Sequence, residues 1–170
     1  MRRAMLLSVF LFVFAVSFGR EMKIVYFDSE KLREEWDDWK DAQAKFDQDV
    51  AKWQEQAKNI EDSLAAMMEE YQRQQLLLSD DKRQEKEMLI QQKQQEYQEF
   101  LSSIFGDNGK AAQRNAELTA PLYDKINAAL SKLADRDGYS IIFDAASSGI
   151  AYIDPSLDIT EDLLKELQMQ

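Results

Sequence analysis

The chain has 170 residues, with 21 Lys and Arg against 32 Asp and Glu, a formal net charge of −11, and neither Cys nor His. The absence of both side chains excludes disulfides, thiol or imidazole chemistry and most zinc sites. An acidic chain of this kind repels phosphate groups, so a nucleic-acid-binding protein is a poor expectation.

The first nineteen residues are predicted to be a secretory signal peptide. Arg2 and Arg3 precede an apolar run over residues 5–16, and Ser17 and Gly19 are small residues suited to cleavage after Gly19. The alternative is a membrane anchor, but the run is short for a span of about 20 residues. No Cys follows the cleavage position to carry a lipid. We therefore expect an exported, soluble and unanchored protein, with one domain by length.

After a short predicted strand over residues 23–28, a seven-residue apolar ladder runs through the front half of the chain. One series consists of Leu32, Trp39, Phe46, Trp53, Ile60 and Met67. The second consists of Trp36, Val50, Ala57, Leu64, Tyr71 and Leu78, interrupted only by Gln43. Alternating steps of three and four residues are typical of a coiled-coil seam. The pattern predicts one helix from about residue 30 to residue 78, roughly 75 Å long at about 1.5 Å per residue.

The sequence Ser79-Asp80-Asp81 breaks the ladder and predicts a tight turn, after which the chain reverses. The returning helix has a weaker ladder of the same period, formed by Ile90, Tyr97, Ile104, Ala111 and Leu118. Two long antiparallel helices that share a seam would make a hairpin rod. Residues 106–109, Gly-Asp-Asn-Gly, interrupt this helix, either as a hinge or as a frayed segment or helix end with Asp107 capping the next helix.

The helix is expected to continue from about residue 110 to residue 136, with a kink at Pro121, and to end at Gly138. Residues 139–144 and 150–153 are predicted to be strands of a β-hairpin. A short amphipathic helix over residues 160–167 follows. The expected fold is α+β, a long helical hairpin inserted into a small β-rich body, and a body this small favours oligomerisation.

Several segments in this order resemble the Skp/OmpH family of periplasmic chaperones. They are the signal peptide followed by Lys-Ile-Val-Tyr-Phe-Asp at 23–28, Ala-Pro-Leu-Tyr-Asp-Lys-Ile at 120–126, Gly-Tyr-Ser-Ile-Ile-Phe-Asp at 138–144, and Ile-Ala-Tyr-Ile-Asp at 150–154 before the terminal helix. No single motif is highly specific. The resemblance rests on their order and on the spacing across a long helical insert.

The resemblance implies a jellyfish-shaped homotrimer. Residues 20–29 and 122–170 would form the β-rich trimerisation body, and residues 30–121 an antiparallel α-helical coiled-coil hairpin, or tentacle, with its tip near residues 78–82. Three tentacles would surround a cavity that holds unfolded outer-membrane β-barrel proteins without using ATP. The function implied is that of a holdase chaperone, with no cofactor and no nucleic-acid partner.

The charge of the predicted tentacle departs from the basic tentacles of the best-known family members. Residues 30–78 carry 7 basic and 13 acidic side chains, a net charge of −6. Residues 79–105 carry 4 basic and 6 acidic side chains, a net charge of −2. Electrostatic capture of acidic clients is therefore doubtful, and we expect more basic clients or more apolar contacts.

Candidate client-contact residues lie in the outer half of the rod. Leu76, Leu77 and Leu78 are consecutive, so at least one cannot face a two-helix seam; they would contact a client or membrane surface, or else close the hairpin end. The other candidates for client contact are Tyr71, Met88, Tyr97 and Phe100. They lie far from the root of the hairpin, where two helices have little core in which to bury them.

Two other groups have competing interpretations. Lys82, Arg83 and Lys86 form a basic cluster at the predicted tip, which would favour weak membrane-surface contact or would simply be a solvated turn. The apolar stripe that contains Trp36, Trp39 and Trp53 is predicted mainly to pack inside the root of the hairpin.

No catalytic constellation is present, so we expect no enzyme, with neither catalytic residues nor a metal site. The carboxylate pairs lie in mixed-sign runs on helix faces and are expected to be solvated. The alternative function is a structural coiled-coil or adaptor protein of the cell envelope with a single folded partner. A spread of unfolded envelope proteins in a pull-down would favour the holdase, and one stoichiometric partner would favour the adaptor.

Overall fold

The computed structural model describes residues 22–169, and the predicted signal peptide lies outside these residues. The described chain is mostly helical, with a small two-stranded sheet. The elements in order are β1 (Lys23–Phe27), α1 (Ser29–Glu35), α2 (Asp37–Gln74), α3 (Asp80–Phe105), α4 (Lys110–Asp137), β2 (Tyr139–Asp144), a 3₁₀ turn (Pro155–Leu157) and α5 (Thr160–Gln168). Within this part of the chain, no helix combines the length and the apolar character needed to cross a bilayer.

The buried core lies where both ends of the described chain meet. Strand β1 contributes Val25 and Phe27, and the α4 and α5 helices contribute Leu133 and Leu163, which have no exposed surface. Gly138 ends α4 with a left-handed backbone (φ 74°), as predicted, and directs the chain into β2. We call this region the body: β1, α1, the second half of α4, β2 and α5. Its core comes mainly from helices and its sheet has two strands, so a β-rich body assembled from three chains stays a prediction.

The two strands pair in parallel, and the predicted β-hairpin is absent. Ile24 lies opposite Ile141 and Tyr26 opposite Phe143. Residues 150–153, predicted to be a third strand, form no strand in the described chain. A strand needs a partner edge, and the free edge of β1 is instead reached by a single bridge to Asp158, where Ile159 N donates to Tyr26 O at 2.8 Å.

The predicted single helix over residues 30–78 is interrupted at Trp36, which separates α1 from α2. Trp36 has an extended backbone (φ −82°, ψ 119°), and its side chain is 3% exposed within the core. Burying an aromatic side chain of this size stabilises the fold by about 2–3 kcal/mol, enough to offset the helical hydrogen bonds that the break costs. The apolar periodicity continues across the break, because both helices turn their ladder positions inward.

The two long sides of the molecule contact each other through side chains far apart in sequence. Lys125 Nζ donates to Asp38 at 2.6 Å, Arg114 Nε to Asp49 at 2.9 Å, and Lys86 Nζ to Glu70 at 2.8 Å. Successive positions along α2 therefore pair with positions progressively earlier in the returning part of the chain. We call residues 37–121 the arm. Along α2 the ladder positions are half-buried or buried, while Gln43 is exposed and the neighbouring Ala42 is buried in its place.

The predicted interruption at residues 106–109 is confirmed, since α3 ends at Phe105 and α4 begins at Lys110. A Cβ atom at Gly106 would lie 2.5 Å from the Ser102 backbone oxygen, and one at Gly109 only 2.4 Å from the Ile104 backbone oxygen. Glycine is therefore required by close backbone approach at both positions. Gly109 is the N-cap of α4, which corrects the alternative in which Asp107 capped it. The hinge stays a prediction.

Candidate functional site

The root of the arm is closed by aromatic packing. The rings of Trp39 and Tyr123 meet edge to face, with centroids 5.6 Å apart and an interplanar angle of 82°. The Arg33 guanidinium lies 5.7 Å from the Trp39 ring centre, a cation–π contact. Trp36 is buried and Trp53 is half-buried. These tryptophans therefore pack at the root as predicted, and the surface available for binding lies further out.

The end of the arm exposes two leucines almost completely. α2 ends at Gln74 and α3 begins at Asp80, so Leu76, Leu77 and Leu78 lie in the connection. Leu76 is 90% exposed and Leu77 88% exposed, whereas Leu78 is half-buried and continues the ladder. As the sequence argument required, the three leucines do not all face the seam. Leu76 and Leu77 form an apolar apex without a covering element in the described chain.

The other candidate contact residues divide between the seam and the surface. Tyr71, Tyr97 and Phe100 are half-buried at inward positions. The Tyr71 hydroxyl hydrogen-bonds to Glu87 across the arm, and this bond raises the pKa of the phenol. Met88 is exposed on the outside of α3. Tyr71 thus lines an open cleft between α2 and α3. The candidate residues do not all lie on one surface.

Sequence reasoning missed Leu89, which is exposed beside Met88. The signal was present, because Met88, Leu89 and Ile90 are three consecutive apolar residues, of which only Ile90 faces the seam as half-buried. As at Leu76–Leu78, three consecutive apolar residues cannot all face a two-helix seam, so an exposed member was predictable. Its exposure extends the apolar surface of the outer arm along α3.

The three cations near the apex each have a carboxylate partner. Lys82 Nζ lies 2.5 Å from Glu85, Arg83 Nη1 3.6 Å from Asp80, and Lys86 Nζ 2.8 Å from Glu70. The hydrogen bonds from Lys82 and Lys86 lower the pKa values of Glu85 and Glu70. The basic residues do not form an unpaired positive patch, so weak membrane contact through them stays a prediction with little electrostatic support.

A second exposed apolar surface, which sequence reasoning also missed, lies on the body. Ile24, Ile141 and Phe143 are exposed on the outer face of the two-stranded sheet, with half-buried Tyr26 among them. Tyr152 is 79% exposed in the nearby loop. Strands that are apolar on both faces are typical of parallel sheets covered on both sides. The apolar residues on both faces of these two strands were therefore the sequence signal for this surface. Within residues 22–169, no group of acidic side chains has the arrangement of a metal site.

This sequence and fold are similar to those of known proteins. A sequence model of the outer membrane protein (OmpH-like) family matches residues 23–167. Comparison with curated proteins gave no significant match. The fold is similar to the crystal structure of a Caulobacter crescentus CB15 protein described as an OmpH-like outer membrane chaperone, with a TM-score of 0.73 and 12% identity, over 87% of this chain and 85% of that one. The family match covers most of the chain and agrees with the resemblance in the sequence motifs; the chain belongs to the outer membrane protein (OmpH-like) family.

Proposed function

We propose that this protein is an ATP-independent holdase chaperone of the periplasm, which keeps unfolded outer-membrane β-barrel proteins soluble. The observation that carries the proposal is the exposure of Leu76 and Leu77, together with Met88 and Leu89, in the outer arm. Apolar side chains in an exposed position are costly unless a partner covers them for part of the time. Membership of the family and the chaperone description of the Caulobacter protein support the same proposal.

We further propose that residues 20–29 and 122–170 form a trimerisation body, and that residues 30–121 form an antiparallel coiled-coil tentacle with its tip near residues 78–82. The apolar outer face of the sheet supports assembly, because a second copy would cover Ile141 and Phe143. The outer edge of β2 has no partner strand among the described residues, and an unpaired edge invites pairing between chains. Three arms on one body would bind one client with raised avidity.

The test of the proposed activity is suppression of aggregation. A urea-unfolded β-barrel membrane protein is diluted into buffer with the purified mature protein, and light scattering is followed over time. We expect suppression at near-stoichiometric ratio without ATP. Ordinary aggregation in the presence of an intact oligomer would contradict the proposal.

The alternative is an envelope adaptor with one folded partner. A pull-down from envelope extract separates the two, because a holdase recovers many unfolded proteins and an adaptor recovers one partner in fixed ratio. The assembly has its own test in light-scattering mass. We expect a trimer for the natural sequence and a monomer for Phe143→Asp, which places a charge on the outer sheet face; a monomeric natural protein would contradict the trimer.

A further inference from the structure

An open cleft of about 630 Å³ lies between α2 and α3 in the outer arm. Its lining includes four glutamines: Gln72 from α2, Gln75 at the C-terminal cap of α2, and Gln91 and Gln94 from α3. Each pair is spaced three residues apart, which puts its two members on the same face of their helix. Met68 and Ile90 supply apolar surface in the same cleft. The cleft therefore combines uncharged amides with small apolar patches.

These amide groups are largely free to bind something else. The Gln75 amide donates to the Gln72 backbone oxygen at 3.4 Å, a long contact. In residues 22–169, the side chains of Gln72, Gln91 and Gln94 take part in no hydrogen bond of the described structure. Each glutamine amide offers two donors and one acceptor oxygen. This set complements the N–H and C=O groups of a peptide backbone.

The charge of the segment around the cleft distinguishes it from the rest of the arm. Residues 71–98 carry five basic and five acidic side chains, a net charge of zero, and nine of these residues are glutamine. Residues 37–70 carry four basic and ten acidic side chains. The carboxylate that lines the cleft, Glu87, is already bonded to the Tyr71 hydroxyl. The cleft lining therefore carries one carboxylate and no Lys or Arg, within a segment of zero net charge.

We infer that this cleft binds extended polypeptide backbone of an unfolded client, with the glutamine amides hydrogen-bonding to its unpaired peptide groups. The inference rests on the proposed holdase function and identifies what that function recognises. An extended chain alternates its side chains between two faces, so apolar residues on one face reach Met68 and Ile90 while its peptide groups reach Gln91 and Gln94. Recognition of the backbone is independent of client charge, which suits an arm without the basic surface expected for electrostatic capture.

The test replaces glutamine by methionine, which has similar length, flexibility and helix propensity but no amide. The variant is Gln91→Met/Gln94→Met in the full mature chain, and the matched control is Gln92→Met/Gln98→Met, two exposed positions of the same helix outside the cleft. The probes are a short capped peptide of alternating valine and serine and the same peptide with alternate backbone nitrogens methylated. Binding is measured by fluorescence anisotropy at low and high salt, and light scattering with urea unfolding verifies that each variant assembles and folds.

We expect the cleft variant to bind the unmethylated peptide about tenfold more weakly, corresponding to loss of one or two net hydrogen bonds. The control variant should bind like the natural protein, methylation should weaken binding to the natural protein, and salt should have little effect. Equal or tighter binding by the cleft variant, tolerance of methylation, or strong salt dependence would each overturn the inference in favour of apolar or charged contacts. Failure of the natural protein to suppress aggregation would contradict the holdase proposal instead, whatever the peptide result.

Discussion

The body and the outer arm use the same kinds of apolar residue with opposite outcomes. In the body, Leu133 and Leu163 have no exposed surface, whereas at the end of the arm Leu76 and Leu77 keep 90% and 88% of theirs. The difference follows from the number of neighbouring elements: strands and three helices converge in the body, while Leu76 and Leu77 lie in the connection at the end of the arm. A fully buried leucine stabilises by about 1.5–3 kcal/mol, so we expect Leu133 and Leu163 to contribute far more to stability than Leu76 and Leu77.

The largest effect is expected from a cavity in the body. Leu163→Ala should lower the free energy of unfolding by about 2–4 kcal/mol, because its site is fully enclosed and can collapse little. The matched control is the same change at an exposed leucine, Leu76→Ala, which should alter the free energy of unfolding by less than about 0.5 kcal/mol. Urea unfolding followed by circular dichroism measures both. Similar losses for the two variants would remove the distinction between body and arm.

The next effect concerns the break in the arm. Gly106→Ala should destabilise the protein by about 1–2 kcal/mol, because the added carbon would lie 2.5 Å from the Ser102 backbone oxygen and the backbone must shift. Ser103→Ala, one turn from the break on an exposed position, is the control. Thermal unfolding compares the two, and a rise in stability for Gly106→Ala would mean that a continuous helix is accessible at this point.

A smaller, pH-dependent effect is expected from the ion pairs of the arm. Lys86 lowers the folded-state pKa of Glu70, and Lys52 followed by Arg114 lowers that of Asp49. Carboxylates with a lowered folded pKa stabilise the fold above their unfolded pKa, near 4.5 for Glu and 3.8 for Asp, and this stabilisation is lost as pH falls through the lowered value. The melting temperature should therefore fall as the pH drops below these values.

Lys86→Met should remove the part of this acid sensitivity that comes from Glu70. Lys45→Met is the control, since Lys45 forms no ion pair within residues 22–169. Melting temperatures measured across the acidic range give the comparison. An unchanged pH profile for Lys86→Met would show that the pair with Glu70 contributes nothing measurable, as many exposed pairs do.

The smallest effect on stability should accompany a clear effect on function. Leu76→Ser/Leu77→Ser changes exposed positions, so we expect unfolding free energy within about 0.5 kcal/mol of the natural protein. Aggregation suppression of an unfolded β-barrel protein should nevertheless be weaker, because the apolar apex is lost. Undiminished suppression by this folded variant would remove the apex from the client-binding surface.

The inward positions of the arm were predictable from sequence because helical periodicity is a local property. Trp53, Ala57 and Ile60 face inward as their spacing required, and Leu78 continues the seam into the connection. The ends at Gly106 and Gly138 were also predictable, since glycine marks places where the backbone leaves the helix. The roles proposed for Tyr71, Tyr97 and Phe100 stay predictions, because burial alone does not identify a client.

Other features of the molecule could not be predicted from local sequence patterns. The cleft glutamines were passed over because polar residues on an exposed helix look like ordinary solvated surface, and only the pairing of α2 with α3 brings Gln72 and Gln75 near Gln91 and Gln94. The expected third strand at residues 150–153 had suitable residues but no partner edge in the described chain. Strand formation depends on a neighbour that local sequence does not specify.

By itself, the sequence determined the heptad seam, the helix ends at Gly106 and Gly138, the acidic composition and the family, since all of these are properties of neighbouring residues or of motifs in order. The tertiary structure decided that Trp36 leaves the helix to enter the core, that β1 and β2 pair in parallel, and that Leu76 and Leu77 point away from the seam. The physical reason is the same in each case. Burial and strand pairing are set by contacts between residues distant in sequence, and these contacts outweigh the local preferences of the chain.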